Sequence, residues 1–147
     1  MSANYGISGI SKIITNQLQR GFYLANTSFR LQETLQSPDR IVSVSIPYNN
    51  TTIQGYRVQH NNLLGPYKGG IRIASHVNPE LLASLATWMT IKCSLMELPL
   101  GGGKGGICLD PEGVSPSEMK RIIDAYTRGI SPVIGGDMDI PAPDINT

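Results

Sequence analysis

Cysteine is scarce in this 147-residue chain: only Cys93 and Cys108 are present, too few for a disulfide framework, and neither stands at metal-ligand spacing from His60 or His76. Both thiols are expected to be small buried apolar groups in a reducing compartment, and no metal site is expected. An excess of charge of either sign is also missing. Twelve Lys and Arg face eleven Asp and Glu, a formal net charge of +1, so no diffuse basic field exists to hold a nucleic acid or an anionic membrane. No run approaches the roughly 18 to 20 consecutive apolar residues of a membrane span, and the opening MSANYGISGISK lacks a basic region followed by an apolar signal core. The expectation is a soluble protein of the cytoplasm, without repeats or low-complexity tracts. Room for a second full domain is lacking too, since domains run about 100 to 200 residues. With 40% hydrophobic and 16% charged residues, the chain has enough apolar material to build one core.

What is abundant is glycine (16) and proline (10), clustered at Gly65 to Gly70, Pro99 to Gly106 and Gly135 to Pro143. Such clusters mark loops, and loops on a rigid scaffold are where sites are built. Between them the pattern predicts regular elements. Ile10, Ile13, Ile14 and Leu18 give Ile7 to Leu24 a helical stripe, and Ser28 to Gln36 reads as a shorter helix stopped by Ser37-Pro38. The alternating runs Ile41 to Ile46 and Thr51 to Gln59, joined through Asn49-Asn50, predict a β-hairpin. Asn78-Pro79 starts a helix expected to reach Leu98. Ile107-Cys108-Leu109 reads as a short buried strand. Ser115-Pro116-Ser117-Glu118 is a capping box opening a helix to about Arg128, and Asp137 to Thr147 reads as irregular. This order predicts an α/β domain, a mixed β-sheet layered with helices.

Three lysines stand in unusual settings. On the helix after Asn78, the stripe Leu81, Leu85, Met89, Lys92, Met96 carries a lysine where the period calls for an apolar residue. Either it snorkels to an edge or it faces a site that supplies an anion. Lys104 sits in GGGKGG, which matches G-x-G-x-x-G formally but follows a helix and leads into ICLD, the reverse of a dinucleotide fingerprint; nor is it a P-loop. It is either a flexible turn with a solvated lysine or a stretch that lets a backbone or ligand approach closely while one amine points into the gap. Lys68 in GPYKGGIR has the same pair of flanking glycines. Converging lysines would depress one another's pKa, making one a usable base, and would clamp a small dicarboxylate. The acidic partner would be Asp137, Asp139 or Asp144, where the prolines of PAPD either aim a carboxylate or simply form a turn.

In order and spacing, GYRVQHNNLLGPYKGGIR, LASLATWMTIKCSLMELPLGGGKGG and DMDIPAPDINT, with the lead-in SPDRIVSVSIP, resemble the N-terminal domain of glutamate dehydrogenases, nearest to the archaeal and bacterial hexameric type. The likeness runs from about Pro38 to Thr147 and is weak before Gln36, implying an N-terminal helical segment over 1–36 and a substrate-binding and oligomerisation domain over 37–147. It implies that Lys68 holds the substrate's side-chain carboxylate, that Lys92 holds the α-carboxylate, that Lys104 is the catalytic lysine and that Asp144 exchanges protons with the amino group. Met89 stands among the substrate-binding positions where other members carry glutamine. Leucine and phenylalanine dehydrogenases carry an apolar residue at the position of Lys68, so the resemblance favours glutamate.

The implied reaction is reversible oxidative deamination of L-glutamate to 2-oxoglutarate and ammonia with NAD or NADP. Family members bind that cofactor in a Rossmann domain, which this chain lacks. The chain is therefore expected to be a fragment of a longer enzyme or a non-catalytic oligomerisation or regulatory paralogue, and to be inactive alone. The hairpin Ile41 to Gln59 has few charges, and an edge of that kind invites pairing. With the resemblance, this predicts a homo-oligomer, at least a dimer and plausibly a hexamer.

Overall fold

A computed structural model of the chain describes residues 7–146. The first predicted helix forms over Ile7–Leu24 (α1), and the second over Phe29–Gln36 (α2). Ile14 is buried, whereas Ile13 of the same stripe is exposed. The hairpin pairs Arg40–Tyr48 (β1) with Thr51–Asn61 (β2) through Asn49, whose φ of 53° is the left-handed conformation asparagine tolerates.

Three segments expected to be loops are strands instead. GPYKGGIR lies largely in β3 (Tyr67–Ala74), GGGKGG lies largely in β4 (Gly102–Cys108), and the PAPD segment is mostly β5 (Asp139–Pro143). Between β3 and β4 comes α3 (Pro79–Leu95), and between β4 and β5 comes α4 (Pro116–Ile130) with a short 3-10 turn, Ser131–Val133. The five strands follow the order β1-β2-β4-β3-β5; β2 runs antiparallel to β1 and β4, and β3 runs parallel to β4 and β5. Glycine is a poor strand former. At β4, ladder bonds to neighbours on both sides and the closeness of α3 override that preference. A Cβ at Gly102 would collide with the Ala86 carbonyl and Thr90 nitrogen of α3. The prolines of β5 are tolerated because β5 is an edge strand, where fewer N–H donors are needed.

Strand alternation sorts the side chains into two layers. Gly102 and Gly106 of β4 face α3, where Val58, Val77, Leu82 and Ala86 form one core. Gly105 and Ile107 face α4, where Val44, Ile46, Ile73, Ile107, Ile122, Tyr126 and Ile130 form the larger one. The predicted capping box is present at Ser115 and Glu118. Asn78 caps α3, accepting from the Leu81 nitrogen at 2.9 Å. That helix ends at Leu95, short of the expected Leu98, because Glu97 turns left-handed (φ 53°) ahead of Leu98-Pro99. Its buried side chains include Leu82, Ala86, Thr90 and Cys93, mostly small ones that let it approach the glycine strand. The stripe with Lys92 is thus not the core-facing one: Leu81 is buried, Leu85 and Met89 are half-buried, and Lys92 and Met96 are exposed.

Among the described residues, no helix is long and apolar enough to cross a membrane, and no group of His, Cys, Asp and Glu could hold a metal ion. Cys93 is buried as expected, but Cys108 is only half-buried, with its thiol directed at the Ser75 carbonyl.

Candidate active site

Lys104 stands in the centre of the sheet, paired across the ladder with Val58 and so directed to the α3 side. Its Nζ donates to Asp144 Oδ2 at 2.7 Å, and its side chain is 8% exposed against 27% for Asp144. Arg72, on the same side of β3, donates Nε to the same oxygen at 3.2 Å. Two cations thus share one carboxylate oxygen just beyond the end of β5. The segment that carries Asp144 is tied down on β3, since the Ile73 nitrogen donates to the Ile145 carbonyl at 3.0 Å and Asn146 Nδ2 donates to the Ile73 carbonyl at 3.0 Å.

The electrostatics are divided unequally. Burial pushes the Lys104 ammonium below its ordinary value, the hydrogen bond and charge of Asp144 pull it back, and Arg72 and Arg57 push it down again, with a downward net result. Burial works against the Asp144 carboxylate as well, but Lys104 and Arg72 outweigh it and hold Asp144 below the usual carboxylate range. The expectation that three lysines depress one another is therefore corrected. The cause acting on Lys104 is first desolvation and then two arginines. The pair is thus an amine held short of its usual basicity beside a carboxylate held charged.

Lys68 and Lys92 act together on a different group. Burial pushes the Cys93 thiol up while the charges of Lys68 and Lys92 act on it in the opposite sense, which puts both ammonium groups in the field of one buried sulfur. Lys68 is half-buried on β3 and Lys92 exposed on α3, with the half-buried Met89 three residues before it. Both cations lie on the α3 side of the sheet, the side to which Lys104 also points.

Of the three aspartates considered as the lysine's partner, Asp144 takes that place. Asp137 is exposed, and Asp139 is fully buried against Arg57 and Gln59 on the opposite side of the sheet. Sequence reasoning passed over Arg57, Gln59 and Arg72. A signal existed for the first two: they share strand parity with Ile53 and Gly55, positions that point inward, where an arginine must find an anion.

Comparison with known proteins gives a consistent result. Residues 38–147 match the sequence family described as Glu/Leu/Phe/Val dehydrogenase, dimerisation domain. The chain is 45% identical over 120 residues to an NAD-specific glutamate dehydrogenase of Clostridioides difficile, covering 78% of this chain and 28% of that protein. It is 44% identical over 122 residues to a catabolic NAD-specific glutamate dehydrogenase of Bacillus subtilis (strain 168), covering 80% and 29%. Among solved structures it resembles glutamate dehydrogenase from Peptoniphilus asaccharolyticus (TM-score 0.89, 34% identity, 94% of this chain and 36% of that one). It also resembles the hetero-hexameric glutamate dehydrogenase from Thermus thermophilus in its Leu-bound form (TM-score 0.89, 38% identity, 94% and 34%). The chain thus spans under a third of the length of these curated relatives.

Proposed function

The chain belongs to the Glu/Leu/Phe/Val dehydrogenase family, and from that premise we propose that it is the substrate-holding part, over residues 37–147, of a cytoplasmic NAD-dependent glutamate dehydrogenase. The observation that carries the reading is the Lys104–Asp144 pair on the same side of the sheet as Lys68 and Lys92. Lys68 pairs with the distal carboxylate of glutamate and Lys92, next to Met89, with the α-carboxylate. The neutral form of Lys104 takes a proton from the water that adds to the iminium carbon, and its ammonium form offsets negative charge developing on that oxygen. Asp144 moves a proton to and from the substrate nitrogen.

The glycines of β4 lie inside a strand, not at a turn opening a helix, so GGGKGG does not offer a pyrophosphate a helix N-terminus. In the intact enzyme the nicotinamide cofactor supplies the hydride acceptor, and the chain alone is expected to give no turnover. Its mate in assembly is a second copy, supported by the outward edge of β1, where Ile41 is 45% exposed.

Calorimetric titration of 2-oxoglutarate tests the reading. Lys68→Leu should weaken its binding tenfold or more, about 1.4 kcal/mol, and should leave a branched apolar 2-oxo acid unaffected or bound better. Equal losses for both ligands would remove Lys68 from the distal carboxylate.

A further inference from the structure

Arg57 lies on the α4 side of the sheet, yet its side chain does not join the apolar core there. It runs across β4 over two glycines: a Cβ at Gly103 would stand 3.2 Å from its Nη2, and one at Gly105 would stand 3.3 Å from its Nη1. On the far side, Nε donates to Asp139 Oδ2 at 2.8 Å, Nη2 donates to Asp139 Oδ1, and Nη1 donates to the Gly69 carbonyl at 3.1 Å. Gln59 Nε2 adds bonds of 2.9 Å to Asp139 Oδ2 and to the Val133 carbonyl. The side chains of Arg57 and Asp139 are both 0% exposed.

A buried ion pair is weak as a source of net stability, because desolvation offsets most of the attraction; its best-attested use is to fix one register. The strand it holds needs that. Asp139 is the first residue of β5 and Asp144 the first beyond its end, and between them Pro141 and Pro143 have no N–H to offer a ladder. A slip of one residue on β3 would turn Asp144 to the other side of the sheet, away from Lys104.

We propose that Arg57 is a positioning residue: by gripping Asp139 across the glycines of β4 it sets the register of β5 on β3, and through that strand it sets where Asp144 stands against Lys104. The proposal rests on the dehydrogenase reading only for the pair's importance to a reaction; the register claim is independent of it.

The test uses Arg57→Met combined with Asp139→Leu, which removes both charges at similar volume and leaves neither buried alone. The Asp144 carboxyl is titrated by NMR of 13C-labelled aspartate in the whole chain. Among the described residues, the charged groups facing it are Lys104 from β4 and Arg72 from β3. With β5 out of register both are lost, and the midpoint moves up to the ordinary aspartate value while near-UV circular dichroism remains that of a folded chain. A purely structural role would lower the unfolding midpoint but leave the Asp144 titration of the folded protein unchanged, and that result overturns the proposal. Should the double variant not fold, Arg57→Lys, which keeps the charge but loses the fork, is read the same way: an upward shift supports the proposal and an unchanged one overturns it. Binding of 2-oxoglutarate to the unaltered chain is measured alongside. No binding would remove the dehydrogenase reading and leave the register claim to the titration.

Discussion

The two ends of β5 carry the same chemistry, an aspartate against a cation, in opposite surroundings. At Asp139 the pair is wholly buried, forked and backed by Gln59. At Asp144 the carboxylate is 27% exposed and shared between a lysine and an arginine, so a proton or a ligand can still reach it. With the same residue type at both ends, burial alone separates them: Asp139 has no exposed face, whereas Asp144 keeps one.

The largest expected effect separates the two ends by stability. Asp139→Ala strands the Arg57 charge in the interior and should cost about 3–5 kcal/mol, whereas Asp144→Asn, at a partly open pair, should cost no more than about 1 kcal/mol. Urea unfolding of both variants measures this, and similar losses would break the comparison. Next is the path that Arg57 follows. Gly103→Ala sets a methyl 3.2 Å from Arg57 Nη2 and should cost about 1–3 kcal/mol by overpacking. Gly136→Ala, with nothing within 4 Å of its added methyl, should stay within about 0.5 kcal/mol in the same assay.

The smallest effect is on pH dependence. Asp144 is held below its ordinary value, so its contribution is present above that value and is lost as pH falls through the lower folded one. Lys104 is also lowered. For a lysine this means a cost present below its folded value and relieved as pH rises through it. Stability should therefore rise with pH across both windows, and Asp144→Asn should flatten the acid-side slope. An unchanged slope in the urea midpoint would show that Asp144 gains nothing from its cations.

The sequence was most readable where local rules act alone. The caps at Asn78 and Ser115, the hairpin turn at Asn49 and the existence of α1 are settled within a few residues of chain, and the structure has them where the pattern predicts, although Ile13 of the α1 stripe is exposed. Glycine and proline misled. Around Lys68, Lys104 and Pro141 they read as loops, yet they form strands β3, β4 and β5, because the demand for close approach of α3 and for room beneath Arg57 comes from segments distant in sequence. The same non-locality hid the Arg57–Asp139 pair, whose members are separated by 82 residues. The lysines stood out by setting, and the resemblance already separated Lys104 and Asp144 from Lys68 and Lys92, but spacing alone left the aspartate open, and the closeness of Lys68 and Lys92 to Cys93 needed the fold.

The surroundings of Lys104 hold it at reduced basicity. The most direct test of this is the titration of the Lys104 side chain by NMR of 13Cε-labelled lysine, with the resonance assigned by its loss in Lys104→Arg. The expected midpoint lies below the ordinary lysine value and falls further in Asp144→Asn, because the hydrogen bond and charge that raise it are gone. A midpoint at or above the ordinary lysine value would contradict it.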